Sequence, residues 1–499
     1  MMLTVTLVSL ALLLLVHHFW KKRKLPPGPW GLPIIGYLPW INTQAPHRTF
    51  AQLAKKHGPI YSISLGSVQA IVLTDTKLIK TLLSKDVTAG RAPLYMTHGI
   101  MNGYGIICSE GDLWKDQRKF TISWLRSIGC AKTGSQRRKM EELIMKHANL
   151  LINSLSKIST PIDPEDLFRH HLGSLINEVV FGTHWEMDDS RWIWLQEKQK
   201  VGTELIGVAA PLNFLPFLRF LPMFNRTMSF LIEGQIETHR FYQNLIDKEE
   251  KVLWDRSRSS NLDTNRAYTS LIQGFLIEKE KRKGTDDVDK YYNDKQFYHL
   301  LADVFGAGLD TTLTTFRWFI LFMSLNEDIQ SDVQQEIITV LNGKAPSMED
   351  TEFMPITEAC IAETQRIRSV VPLGIPHGVS DDIEIDGYVI PKGSMVIPLQ
   401  WAIHMNDKFY ANPEVFNPNN FLDEQGRFSK NENFIPFQFG KRMCIGDEFA
   451  RMILFMFCVS VLQKFHLKIT NKESVNLEGN PGITLTPKLF NVRFEPLDS

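Results

Sequence analysis

The run Phe437-Gln438-Phe439-Gly440-Lys441-Arg442-Met443-Cys444-Ile445-Gly446 sets Phe, Gly, Arg, Cys and Gly at offsets that chance rarely produces together. It leads into residues 447–462, an apolar stretch that reads as a helix. Two glycines let the backbone bend, so that N–H groups can turn toward the Cys444 sulfur. A helix N-terminus beside that sulfur adds positive potential and favours the thiolate, which is the form that ligates metal. A single buried cysteine is ordinarily inert, and that reading is given to Cys108, Cys130, Cys360 and Cys458.

A second segment breaks a local rule. Ala307-Gly308-Leu309-Asp310-Thr311-Thr312 lies inside an apolar run predicted as a long helix over residues 296–325. Gly, Asp and Thr are poor helix formers, and such a conflict inside a buried helix points to a site. Thr311 can hydrogen-bond a backbone carbonyl and open the helix locally. Asp310 and Thr311 together make an acid–alcohol pair able to relay a proton.

The cysteine run resembles the signature of the cytochrome P450 family, F-x-x-G-x-R-x-C-x-G, at every fixed position. The helix segment resembles the family's A/G-G-x-D/E-T groove. This resemblance implies a mainly α fold with minor β. It also implies heme b (iron protoporphyrin IX) ligated by Cys444, since a thiolate pushes electron density toward dioxygen. On the same basis Arg442 pairs with a heme propionate and Phe437 shields the sulfur side of the ring. Trp114 and Arg118 fit the family's W-x-x-x-R on one helix face, and His377 matches a third propionate donor. Glu363 and Arg366 fit E-x-x-R, which braces the cysteine loop. The family completes that brace from an Arg or His where this chain has Asn420, so no charged third partner is carried over.

The bulk numbers agree with one large catalytic body. The 499 residues are 43% hydrophobic and 22% charged. Lys+Arg and Asp+Glu balance at 55 each, which gives no reason to expect nucleic acid. Five scattered cysteines exclude a disulfide scaffold and zinc spacing. Residues 1–20 are apolar and are followed at once by Lys21, Lys22, Arg23 and Lys24. That charge order favours a transmembrane anchor with a cytosolic body over a cleaved signal. Residues 21–40 read as a basic, Pro/Gly-rich hinge, and residues 41–499 as the heme-thiolate domain. Residues 60–65 and 69–73 read as a hairpin, and 278–295 as a charged, solvated loop. Residues 211–222, with Phe214, Phe217 and Phe220, fit either core packing or lipid contact.

No flavin or nicotinamide fingerprint is present, so electrons must come from another protein. The resemblance implies NADPH–cytochrome P450 reductase, with cytochrome b5 as a second donor, at the endoplasmic reticulum membrane. Lys115, Lys119 and Lys441 are candidates for its docking face. The expected pocket segments 92–107, 301–311, 370–375 and 482–485 are mostly apolar and suit a lipophilic substrate. Residues 305–315 and 444–452 are similar to arthropod members that hydroxylate ecdysteroid precursors, position 25 being the first candidate. Xenobiotic or fatty-acid oxidation is the alternative. A heme-thiolate isomerase or dehydratase, or a non-catalytic heme or lipid binder, would keep Cys444 without needing the Asp310–Thr311 pair.

Overall fold

This computed structural model describes residues 24–206, 211–259 and 270–497. The chain first meets the body as an extended segment along the sheet. Ser62 N–H donates to Pro27 O at 2.8 Å and Val389 N–H to Lys24 O at 3.0 Å. A Cβ on Gly28 would lie 1.8 Å from Ser62 O, so only glycine permits that approach. The expected anchor lies outside the described residues. No helix among the described residues is long and apolar enough to cross a membrane.

Helices dominate. In chain order they include α1 (Pro46–His57), α2 (Thr76–Leu83), α3 (Gly111–Ser127), α4 (Arg137–Leu155), α5 (Glu165–Phe181), α6 (Ser190–Ile206) and α7 (Pro222–Ser259). There follow α8 (Leu271–Lys281), α9 (Asp286–Tyr291), α10 (Asp294–Leu325), α11 (Glu327–Leu341), α12 (Pro355–Ile367) and α13 (Asp447–Lys464). The long helix and the helix after the cysteine loop therefore form close to their expected bounds. α10 is apolar on most faces beyond Leu309 and is buried accordingly. Its Phe316 meets Phe168 of α5 at 4.5 Å and Phe457 of α13 at 5.9 Å, between ring centroids.

The expected hairpin is β1 (Ile60–Leu65) with β2 (Val68–Leu73), antiparallel in register Ile60↔Leu73 to Leu65↔Val68. With β3 (Gly90–Arg91), β4 (His377–Gly378) and, after the small hairpin β5 (Ile383–Ile385) and β6 (Tyr388–Ile390), β7 (Met395–Pro398), it builds a sheet ordered β1-β2-β7-β4-β3. The β3–β4 edge sets Arg91 opposite His377.

Two expectations change. Residues 278–295 are not a loop: they finish α8, form α9 and start α10. Glu278 pairs with Arg282 one turn on at 2.9 Å, and Arg282 reaches Asp116 of α3 at 2.7 Å. The acids Asp286, Asp287 and Asp289 fall in the first turn of α9, where the helix dipole favours them. Residues 211–222 pack into the core only in part. Phe214 is buried, whereas Phe217 and Phe220 are 50% and 73% exposed.

Candidate functional site

The cysteine loop is shaped by one backbone constraint. Gly440 takes φ +82°, and a Cβ there would sit 2.1 Å from Leu83 O. Its absence lets Lys441 N–H donate to that carbonyl at 3.0 Å. The loop closes through Cys444 N–H to Phe437 O, 3.0 Å. The Arg451 guanidinium lies over the Phe437 ring at 4.9 Å. Of the five cysteines, Cys444 alone is not buried, and it opens onto a cavity. Protein encloses it on its other sides, and that desolvation pushes the thiol up to about 11, opposed by the Gly446 N–H, Arg118 and Arg451. A sulfur held this way ionises against a metal cation, which deprotonates a coordinating thiol outright.

The cavity measures about 590 Å³. Trp114, Arg118, His377, Arg442 and Phe437 all line it, together with Asp310 and Thr311. Arg442 lies over the Trp114 ring at 4.2 Å. It donates to the carbonyls of Ala89 at 2.8 Å, Ile106 at 3.2 Å and Ser109. Arg118 donates to Met443 O at 2.8 Å. His377 Nδ1 is 2.8 Å from Thr88 O, and burial lowers the ring to about 3, so it is neutral. Burial and the neighbouring Arg91 bring Arg442 down to about 8.

Arg91 was not anticipated. It lines the same rim, donates to Ile107 O at 2.7 Å through Nε, and leaves Nη1 buried without a hydrogen-bond partner. Its position comes from pairing with His377 across the sheet edge, which no local motif announces. Such an orphaned guanidinium N–H beside Arg118, Arg442 and His377 fits a group that carries carboxylates.

Along α10, which stays helical throughout, Thr311 Oγ1 donates to Ala307 O at 2.7 Å, the backbone-carbonyl bond expected of it. Asp310 is buried, which raises its pKa, and its Oδ2 accepts from Thr484 Oγ1 at 2.7 Å. Arg169 and Arg317 also act on that carboxyl. Both pair with Glu165, at 3.0 and 2.9 Å, and Glu165 meets the half-exposed Lys200 at 3.3 Å. Charged groups near Asp310 thus extend, around Glu165, as far as the half-exposed Lys200. One turn before Ala307, Asp303 accepts from Ile106 N–H at 2.7 Å and Ile107 N–H at 2.8 Å and pins that loop to α10. Burial raises it to about 7.

Glu363 and Arg366 are both fully buried. Arg366 donates to Glu363 Oε2 at 2.6 Å and Oε1 at 2.7 Å, and to His404 O at 2.8 Å. Asn417 N–H adds a bond to Glu363 at 2.9 Å, and the Asn420 amide lies 3.3 Å from each carboxylate oxygen. Asn420 therefore fills the third place in the brace as a neutral donor. Of the candidate docking lysines, Lys115 pairs with Asp112 at 3.2 Å and Lys441 with Asp86 at 3.1 Å.

A family model for cytochrome P450 matches residues 26–494. The chain belongs to the cytochrome P450 family. It is 36% identical to cytochrome P450 306a1 of Drosophila melanogaster, over 99% of this chain and 94% of that one. It is 35% identical to cytochrome P450 18a1 of the same insect, over 96% and 88%. Human cytochrome P450 2J2 is 34% identical over 95% and 92%. Like its family, this P450 is a monooxygenase that uses heme and electrons passed from NADPH through a reductase.

Proposed function

We propose that this P450 hydroxylates a sterol of the ecdysteroid-precursor class, with carbon 25 the first position to examine. The observation that carries the reading is the cavity itself: the largely apolar space that Cys444 lines also follows α10 back past Thr311, Ala307 and Asp303 to His299. Thr311 lies twelve helical steps from His299, about 18 Å of rise, enough for an elongated polycyclic molecule. The insect relatives, matched over nearly the whole chain, support the same reading. A fatty acid is less well served, because Lys198 in the cavity wall is already paired with Glu237 at 2.8 Å. Incubation with reductase, NADPH and a panel of sterols and fatty acids, with products identified by mass spectrometry, decides the matter. A monohydroxylated sterol is expected. Oxidised laurate with untouched sterols would replace this reading with the fatty-acid one. Converted sterol without NADPH consumption would indicate an isomerase.

In this reading Cys444 holds the heme iron, and Trp114, Arg118, Arg442 and Arg91 hold its propionates; His377 would join them as imidazolium, since its neutral ring spends its one N–H on Thr88 O. The heme supplies dioxygen activation. Thr311 keeps a hydroxyl at the cavity wall, and Asp310, hydrogen-bonded to Thr484, holds a carboxyl beside it that can take and return a proton. Phe437 keeps water from the sulfur side. The Glu363–Arg366–Asn420 brace fixes the segment around Asn417 to α12.

We also place the protein at the endoplasmic reticulum membrane, with the 1–20 segment as anchor and a second contact made by the body. Phe217, Phe220 and Met223 are exposed, and so are Trp30 and Ile34. The two segments meet at the β1–β2 turn, where Gly66 N–H donates to Ile35 O and Ser67 N–H to Phe214 O. Such a joined apolar patch suits a lipid surface. Phe220→Glu with Met223→Glu should lower partition of the body into vesicles several-fold. Unchanged partition would remove the second contact.

A further inference from the structure

The cavity has a polar region that the chemistry at Cys444 does not use. α7 presents Gln235, Thr238 and His239 to it, and α10 presents His299, all from the part of the wall farthest along α10 from Thr311. Gln235 and His299 are linked, Nε2 to Nε2, at 3.3 Å. His299 stacks on Tyr104 at 5.7 Å and meets His239 edge-on at 4.9 Å, so its ring is held in place. Burial lowers His239 and takes His299 to about 4, so both rings are neutral, and a neutral imidazole both donates and accepts. Among the described residues neither ring nitrogen of His239, nor the Gln235 carbonyl oxygen, has a hydrogen-bond partner. A cavity for a purely apolar molecule gains nothing from three neutral hydrogen-bonding groups on two facing helices, since each must be desolvated when such a ligand enters.

We propose that Gln235, His239 and His299 form a specificity site for a hydroxyl or ketone at one end of the substrate, which directs the opposite, apolar end to the cavity wall at Thr311. The proposal rests on the sterol reading above and sharpens it. Neutral groups select neutral oxygens: a carboxylate or sulfate buried here would lack a countercharge, because Lys198 is already paired. The helix rise places this site about 18 Å from Thr311. A rigid ring system anchored there leaves its side chain, rather than its rings, for oxidation.

The test is equilibrium dialysis of the full, heme-loaded chain with two probes in cyclodextrin, 5α-cholestan-3β-ol and 5α-cholestane. The 3β-alcohol should bind about tenfold tighter, the worth of a hydrogen bond or two to neutral partners. In Gln235→Leu and His239→Leu that ratio should fall to about twofold or less. The product from the alcohol should carry its new oxygen on the side chain. Equal affinity of the wild-type chain for both probes would overturn the proposal even if neither variant folds. A ratio that the variants leave unchanged would overturn it too. Because dialysis needs no turnover, the two readings fail separately. Tight, selective binding without product sinks only the hydroxylase reading, and hydroxylation of both probes with equal affinity sinks only the polar site.

Discussion

Replacing Arg366 by Leu tests how the brace works. Arg366 has no exposed surface and makes three short bonds, two to Glu363 and one to His404 O. The substitution leaves Glu363, equally buried, with only the Asn417 N–H and the long Asn420 contacts. Breaking a buried pair on one side costs about 3–5 kcal/mol, because an uncompensated charge remains in low dielectric. That is a large share of a total stability of about 5–15 kcal/mol. Removing both charges, as Glu363→Gln with Arg366→Met, leaves no orphaned ion, so most of the loss should return. Urea unfolding followed by tryptophan fluorescence on heme-loaded protein provides the comparison. The reasoning is refuted if Arg366→Leu costs less than about 1 kcal/mol, or if the double variant is no more stable than the single one.

Three further outcomes follow from particular contacts. Gly440→Ala should abolish heme-loaded protein, because the new methyl meets the Leu83 carbonyl at 2.1 Å at a φ of +82°, and recovery of normal heme content would contradict that account. Stability should fall on acidification through His404. Burial holds its folded pKa near 3, and its Nε2 must stay unprotonated to accept the Ile435 N–H. The unfolded chain, with an ordinary pKa of about 6.5, therefore binds the extra proton below that value, and stability is fully present above it. The loss from pH 7 to pH 5 amounts to about 2 kcal/mol, which His404→Asn should remove from the difference between urea midpoints at the two pH values. Thr311→Ala should keep its heme spectrum but divert much of its NADPH consumption to peroxide. Normal coupling measured by product against NADPH would end the role given to that hydroxyl.

The parts of this molecule that were legible in its sequence are those fixed by local chemistry. The cysteine loop declares itself because Gly440, with its positive φ and its close approach to Leu83 O, is needed at a set offset from Cys444. α10 declares itself by its length and by the cost of placing Gly308, Asp310 and Thr311 inside it. Arg91 was hidden because its function depends on a strand pairing with His377 far along the chain. Gln235, His239 and His299 were hidden for another reason: polar residues at helical spacing ordinarily mark the solvent face, and only the packing of α7 over α10 turns these inward. The 278–295 run shows the reverse error. Its charges are dense enough to suggest a loop, yet spacing one turn apart lets them pair within helices.

The account depends on a thiolate on iron, and the spectrum of the reduced, carbon monoxide-bound protein reads that bond directly. A strongly red-shifted Soret band is predicted, and Cys444→His should abolish it. A band at the shorter wavelength typical of a nitrogen-ligated heme, or purified protein that takes up no porphyrin, would contradict it.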